Sequence, residues 1–226
     1  MTKGLDPDAT MKDSGIEWIG IIPTHWTIAR KLSLQVKEDI SYGIVKLFEP
    51  DDVNGVKVIR CSDVLEGTIA SQNIRTVTKR VSDEYSRTIL KGGEVLVNVR
   101  GSLGGCAVVP PEMAGYNIAR EVAKITLKDM VYNRFVMYYM LSNAFEDYRT
   151  RYLSGSVYIG LNIELLSFCP IPIPSFSEQK QICGFLDEKC QNINDLIAIK
   201  RQKIDKLNEY RKSLIYEYVT GKKEVV

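Results

Sequence analysis

Ser175-Phe176-Ser177-Glu178-Gln179-Lys180-Gln181-Ile182 begins the stretch whose reading decides the fold. It follows the proline-spaced strand Ile171-Pro172-Ile173-Pro174 and opens an apolar pattern that runs almost to the C-terminus. Ser175-Phe176-Ser177-Glu178 has the form of a capping box, in which serine and glutamate satisfy each other's orphan backbone donors at a helix start. Beyond it, Cys183, Cys190, Ile197, Ile204, Arg211 and Tyr218 alternate with Leu186, Ile193, Lys200, Leu207 and Leu214. This 3-4 spacing, held over roughly five heptads, predicts a coiled-coil helix. Thr220-Gly221 ends it, and a helix of this extent reaches roughly 60 Å. A single helix leaves its seam unburied, so the pattern demands a partner helix. The expected seam residues are Leu186, Cys190, Ile193, Ile197, Ile204, Leu207, Leu214 and Tyr218. Lys200 and Arg211 interrupt it. Either their stems lie along the seam with the charges turned outward, or they set register against a specific partner.

At 226 residues the chain has room for one good core of roughly 150 residues plus an appendage. Apolar content of 45% and charged content of 26% are those of an ordinary globular protein. With 30 basic and 28 acidic residues the net charge is +2, so no strongly basic signature announces nucleic acid, although a local basic face can be cancelled elsewhere. No apolar run approaches the ~18 residues of a membrane span, and the N-terminus lacks the apolar core of a secretion signal; both point to the cytoplasm. Cys61, Cys106, Cys169, Cys183 and Cys190 form no Cys-x-x-Cys pair and read as buried reduced thiols. With His25 the sole histidine, a zinc site lacks its ligand spacing.

The chain divides into a flexible lead (1–13), a globular domain (14–174), the long helix (175–220) and a tail (221–226). Ser14 to Trp26 reads as a turn-rich apolar segment anchored by Trp18 and Trp26. Strands are expected over 56–60, 68–69, 95–99, 106–109 and 122–127, separated by turn signals such as Asn54-Gly55 and Lys91-Gly92-Gly93. Helix is expected over 83–90, over 133–151 and over 163–167, with Ser154-Gly155-Ser156 as a break. The fold class is α+β, a mixed sheet of short strands followed by one long helix.

Catalytic chemistry finds no players. Arg100-Gly101-Ser102-Leu103-Gly104-Gly105 lacks the Gly-Lys-Ser/Thr end of a nucleotide loop and reads as a tight turn between strands. Val109-Pro110-Pro111-Glu112 does not fit an adenine methyltransferase motif, and no acid-x-Lys follows Pro50-Asp51 at short range. No Ser-His-acid set or paired carboxylates stand out. The sequence reads as a binder. Arginine and asparagine are the side chains the major groove favours, and they gather here at turn-like places. The candidates for DNA contact are Arg75, Lys79, Arg80, Asn98, Arg100, Ser102, Asn117, Arg120, Arg151, Ser156 and Tyr158.

Three segments together resemble the specificity subunit of type I restriction-modification enzymes. They are Ser14-Gly15-Ile16-Glu17-Trp18-Ile19-Gly20 with Ile22-Pro23-x-x-Trp26; Lys91-Gly92-Gly93-Glu94-Val95-Leu96 leading to Arg100-Gly101-Ser102; and Ile171-Pro172-Ile173-Pro174 running into Glu178-Gln179-x-x-Ile182. The resemblance implies a target recognition domain that reads one half of a split DNA site, followed by a spacer helix. A full-length subunit carries that unit twice and packs its two helices antiparallel. One recognition domain and one helix therefore imply a half-size subunit that pairs with a second copy of itself and favours a palindromic split site. Its expected partners are double-stranded DNA, methyltransferase subunits and, where one exists, a restriction subunit. No cofactor or catalytic residue is expected in this chain; S-adenosylmethionine belongs to the partner methyltransferase. Two other classes stay open on sequence alone: a coiled-coil module for a protein ligand, and an enzyme of unseen mechanism.

Overall fold

The computed structural model describes residues 6, 8–45, 54–101, 103–153 and 160–224. In chain order come the strands β1 (Met11–Asp13), β2 (Ile21–Pro23), β3 (Thr27–Ala29), β4 (Ser41–Tyr42), β5 (Val56–Ile59) and β6 (Arg75–Val77). Helix α1 (Lys79–Glu84) leads to β7 (Val95–Asn98), β8 (Cys106–Val108), β9 (Asn117–Ile118) and β10 (Val122–Ile125). Helices α2 (Asn133–Met140), α3 (Asn143–Leu153) and α4 (Ile163–Phe168) precede β11 (Ile171–Ile173) and the 44-residue α5 (Phe176–Val219).

The centre is an antiparallel sheet of order β4-β10-β7-β8. Every residue of β7 and β10 is buried, because alternate side chains feed different cores. Val95, Val97, Ala123 and Ile125 pack against α2 and α3 through Val136, Met137 and Phe145. Leu96 and Val122 face the other way, into a cluster with Ile59, Val64 and Leu90. A second sheet, β6-β5-β9, pairs β5 antiparallel to β6 and parallel to β9, so the architecture is the expected α+β with mixed strands. Gly43 lets the two sheets meet. A Cβ there would stand 1.8 Å from the Ile118 carbonyl oxygen, so glycine alone fits.

The strands expected from sequence are present within a residue or two, except that Ile69 makes only an isolated bridge to Val64. Four details differ. Met11–Asp13, assigned to the lead, is a strand paired with β2, its turn shaped by Asp13 accepting from the Gly15 N–H at 2.9 Å. Helix α1 begins at Lys79 rather than at 83, because Thr78 Oγ1 accepts the Val81 N–H. The single helix expected over 133–151 is two. Ser142 Oγ donates to the Tyr139 carbonyl at 2.7 Å, a local bond that competes with the helical ladder. The capping box is half made: Ser175 Oγ accepts the Glu178 N–H, but the Glu178 carboxylate takes the Trp26 indole N–H at 2.9 Å and His25 Nε2 at 3.1 Å.

By compactness the chain separates into a unit ending at Cys183 and one beginning at Gly184. The division falls inside α5. Gln179 and Cys183 are buried in the first unit, where Gln179 accepts the Tyr132 N–H at 2.7 Å and donates to the Pro174 carbonyl at 3.0 Å. None of the five cysteines is in a disulfide. Cys106, Cys169 and Cys183 are buried as expected; Cys61 is half-buried and Cys190 is exposed on the helix, where it has no core to enter.

Candidate nucleic-acid interface

Strand register decides which basic residues meet. β5 and β9 run parallel, so Arg60, directly after β5, and Arg120, two residues after β9, leave the small sheet at the same end. β6 runs the other way, so its first residue, Arg75, also lies there, opposite Val58. β7 and β10 are antiparallel with Asn98 opposite Val122, which places Arg100 next to Glu121 and Arg120. The backbone confirms that closeness, with the Val99 and Arg100 N–H groups both bonded to the Glu121 carbonyl, at 2.9 and 3.4 Å. Cys61 completes the join, its Sγ 3.1 Å from where a Gly101 Cβ would sit. Arg60, Arg75, Arg100 and Arg120 thus share one end of the two sheets.

Each is held differently. Arg60 forks onto the buried Asp63, Nε to Oδ2 at 3.1 Å and Nη2 to Oδ1 at 3.0 Å, while Asp63 also accepts the Arg60 N–H at 2.8 Å. Arg120 Nε contacts Glu121 Oε1 at 3.3 Å. The Arg100 Cζ lies 5.7 Å from the centre of the Tyr42 ring. Arg60, Asp63 and Tyr42 escaped the sequence reading. The Arg60-x-x-Asp63 spacing directly after a strand was the available signal for the first two.

Other expected contacts lie elsewhere. Lys79 and Arg80 follow the far end of β6, roughly 10 Å of strand away from Arg75. There they form exposed i,i+4 pairs with Asp83 at 2.7 Å and Glu84 at 3.2 Å. Asn98 and Asn117 are interior. Asn98 Nδ2 donates to the Cys61 carbonyl at 2.8 Å and the Val64 carbonyl at 3.1 Å, lacing the loop after β5 to β7. Asn117, fully buried, accepts from Thr88 Oγ1 at 2.6 Å and donates to Ser82 Oγ at 3.0 Å, tying α1 to β9. Both amides are turned away from solvent and serve the fold. Arg151 pairs with Glu17 at 2.7 Å and lies over the Trp18 ring. Ser102, Ser156 and Tyr158 lie outside the described residues.

The glycine turn reads out as expected. Gly101 and Gly104, at φ 74° and 107°, bend the hairpin between β7 and β8. Thiol chemistry is suppressed inside: burial pushes the Cys169 thiol up to about 12 and Cys106 higher still. Among the described residues no three acidic, histidine or cysteine side chains gather as a metal site, and no helix is long and apolar enough to cross a membrane.

Residues 28–209 match the family model of the type I restriction modification DNA specificity domain. The chain belongs to that family. Among curated relatives, the EcoBI specificity subunit of Escherichia coli is 24% identical over 189 residues, which cover 79% of this chain and 39% of that protein. A putative MjaX specificity subunit of Methanocaldococcus jannaschii is 30% identical over 223 residues, covering 98% and 48%. The chain therefore spans about half the length of the specificity subunits it matches. Among solved structures, the HsdS subunit from Thermoanaerobacter tengcongensis superposes with a TM-score of 0.58 at 18% identity, over 94% of this chain and 46% of that one. A chain from a type I restriction-modification complex gives 0.67 at 19% identity, over 87% and 46%. At such identity these structures share the fold with this specificity-family chain.

Most of the expected seam residues on the helix of this family member are exposed, while Leu186 and Leu214 are half-buried. Ile193, Ile197, Ile204, Leu207 and Tyr218 are each more than 40% exposed within the chain. Leu196, Ile199 and Tyr210 are equally exposed and fall outside the expected seam, so the apolar sector of the helix is wider than one heptad stripe.

Proposed function

We propose that this chain is a DNA-recognition unit that reads one half of a split site and positions methyltransferase subunits over it. The observation that carries the reading is the convergence of Arg60, Arg75, Arg100 and Arg120 at one end of two sheets, in a chain of the specificity family. Guanidiniums stay charged at every physiological pH and bind both phosphates and guanine edges, so a cluster at strand ends suits duplex DNA. Methyl transfer and S-adenosylmethionine binding are assigned to the partner, and this chain supplies affinity and register.

The exposed seam of α5 calls for a second helix, and a second copy of the chain is the partner we assign. Charge supports antiparallel pairing. Residues 184–199 carry Asp187, Glu188 and Asp195 against Lys189, whereas residues 200–212 carry Lys200, Arg201, Lys203, Lys206, Arg211 and Lys212 against Asp205 and Glu209. Antiparallel copies set the acidic half of one helix beside the basic half of the other. In the heptad frame that register sets Cys190 opposite Leu207 of the second copy, and Ile193 opposite Ile204. Two identical readers related by a two-fold axis favour a palindromic half-site pair. The wider apolar sector through Leu196, Ile199 and Tyr210 leaves room for helices of the methyltransferase subunits, and the Trp18 segment is a second contact for them.

The deciding experiment is binding of the complex with methyltransferase to duplex DNA across a salt series, together with genomic methylation mapped with and without the chain. Affinity that falls steeply with salt and a methylated split site that disappears with the chain are the expected results. Salt-insensitive or absent binding overturns the reading.

A further inference from the structure

Arg60 and Arg120 are held by carboxylates, whereas Arg100 is held by a ring. Among the described residues no carboxylate lies within ion-pair reach of Arg100, and its side chain is exposed. Yet it is not loose. Its backbone is bonded on both sides, Val99 and Arg100 N–H to the Glu121 carbonyl and Leu161 N–H to the Val99 carbonyl. Its stem passes Gly160, where a Cβ would already be 3.5 Å from Arg100 Cγ. Its head lies over Tyr42, whose own position is fixed twice. β4 pairs Tyr42 with Ala123, and the phenol donates to the Leu161 carbonyl at 3.3 Å.

We propose that Tyr42 positions the Arg100 guanidinium to read a guanine in the recognised half-site, an inference that rests on the DNA-recognition reading above. A positioned cation without a counter-charge keeps its donors for a ligand. A phosphate accepts an arginine from many directions, whereas guanine O6 and N7 demand two parallel N–H bonds in one plane. A ring against the guanidinium limits where it can turn and attracts the cation through its π face. Burial raises the Tyr42 phenol above its ordinary value, so the ring stays neutral and keeps its bond to Leu161.

The test uses the complex with methyltransferase and the half-site mapped by methylation, with duplexes in which each base pair is replaced in turn. Arg100→Lys, at an exposed position, is expected to keep the thermal midpoint and lose about tenfold or more of the discrimination at one G·C pair. Tyr42→Leu is expected to lose part of the discrimination at that same pair, and Tyr42→Phe, which keeps the ring face, to retain most of it. Uniform weakening of every duplex by Arg100→Lys, with the salt slope reduced by about one, means a phosphate contact and overturns the proposal. Tyr42→Leu with wild-type discrimination overturns it as well. If the unsubstituted complex fails to bind DNA, the recognition reading falls and this proposal with it. If it binds and Arg100→Lys changes no base preference, this proposal falls alone.

Discussion

The carboxylate of Glu178 accepts the indole N–H of Trp26 at 2.9 Å, joining residues 152 positions apart. Through it the first turn of α5 is fastened to the N-terminal segment, with His25 bonded to the other carboxylate oxygen. A residue suited to closing its own helix cap has been drawn into a long-range bond instead. The indole needs an acceptor once its ring is packed with Ile19 and Ile22, and Glu178 is the acceptor in reach.

Glu178→Ala is accordingly expected to cost about 1–3 kcal/mol, since it leaves the Trp26 N–H without its acceptor. Chemical denaturation followed by tryptophan fluorescence measures this. Glu178→Gln, which keeps an acceptor, is expected to lose less.

Lys124 is a cation only 2% exposed, and Glu38 is the carboxylate paired with it, at 3.1 Å, while also binding Lys91 at 2.7 Å. Hydrogen bonds from Lys91 and then Lys124 hold the Glu38 carboxyl down at about 2. Glu38→Ala strands the buried ammonium and is expected to destabilise the domain by about 3 kcal/mol, whereas Lys124→Met is expected to be far milder. Because the folded-state value is depressed, the stabilisation is fully present above the ordinary carboxyl value of 4.5 and is lost as pH falls towards 2. Acid unfolding curves of the wild type and Glu38→Ala are therefore expected to converge across that window.

Asn117 separates fold from recognition. Its removal breaks bonds to Thr88 and Ser82 inside the domain, so Asn117→Ala is expected to lower stability by about 2 kcal/mol. Calorimetry reads the loss. Base preference of the surviving folded protein is expected to be unchanged, which distinguishes it from Arg100.

Leu207→Asp places a carboxylate in the middle of the proposed helix pair. Light scattering is expected to move from twice 25.6 kDa to a single chain, with the circular dichroism of the domain retained. A persisting dimer overturns the heptad frame in which Leu207 faces Cys190.

Local signals made much of this fold legible. The turn glycines marked the hairpin between β7 and β8, short runs bounded by turn signals marked β5 and β10, and the 3-4 repeat marked α5 to within a residue at either end. What local signals do not carry is register. Arg75 and Lys79 stand four positions apart in the chain, yet β6 runs between them and sends them to opposite ends of the sheet. Asn98 and Asn117 looked like readers of adenine because their residue type is right, and only the strand pairing reveals that both amides point into the domain. Arg60 was passed over because the Asp63 that shapes it acts through a folded turn.

The asparagine lacing has a consequence for how such a protein changes over generations. Asn98 and the backbone bonds around Glu121 hold the loop ends in place, while the arginine side chains themselves contribute little to the core. On the proposed reading, exchanging the exposed Arg100 side chain would alter what is read without unsettling what holds it, whereas replacing Arg60 would strand the buried Asp63 carboxylate. If that reading holds, a new target would arise by a single replacement on an unchanged frame, and a lineage would diversify its repertoire without first acquiring extra stability.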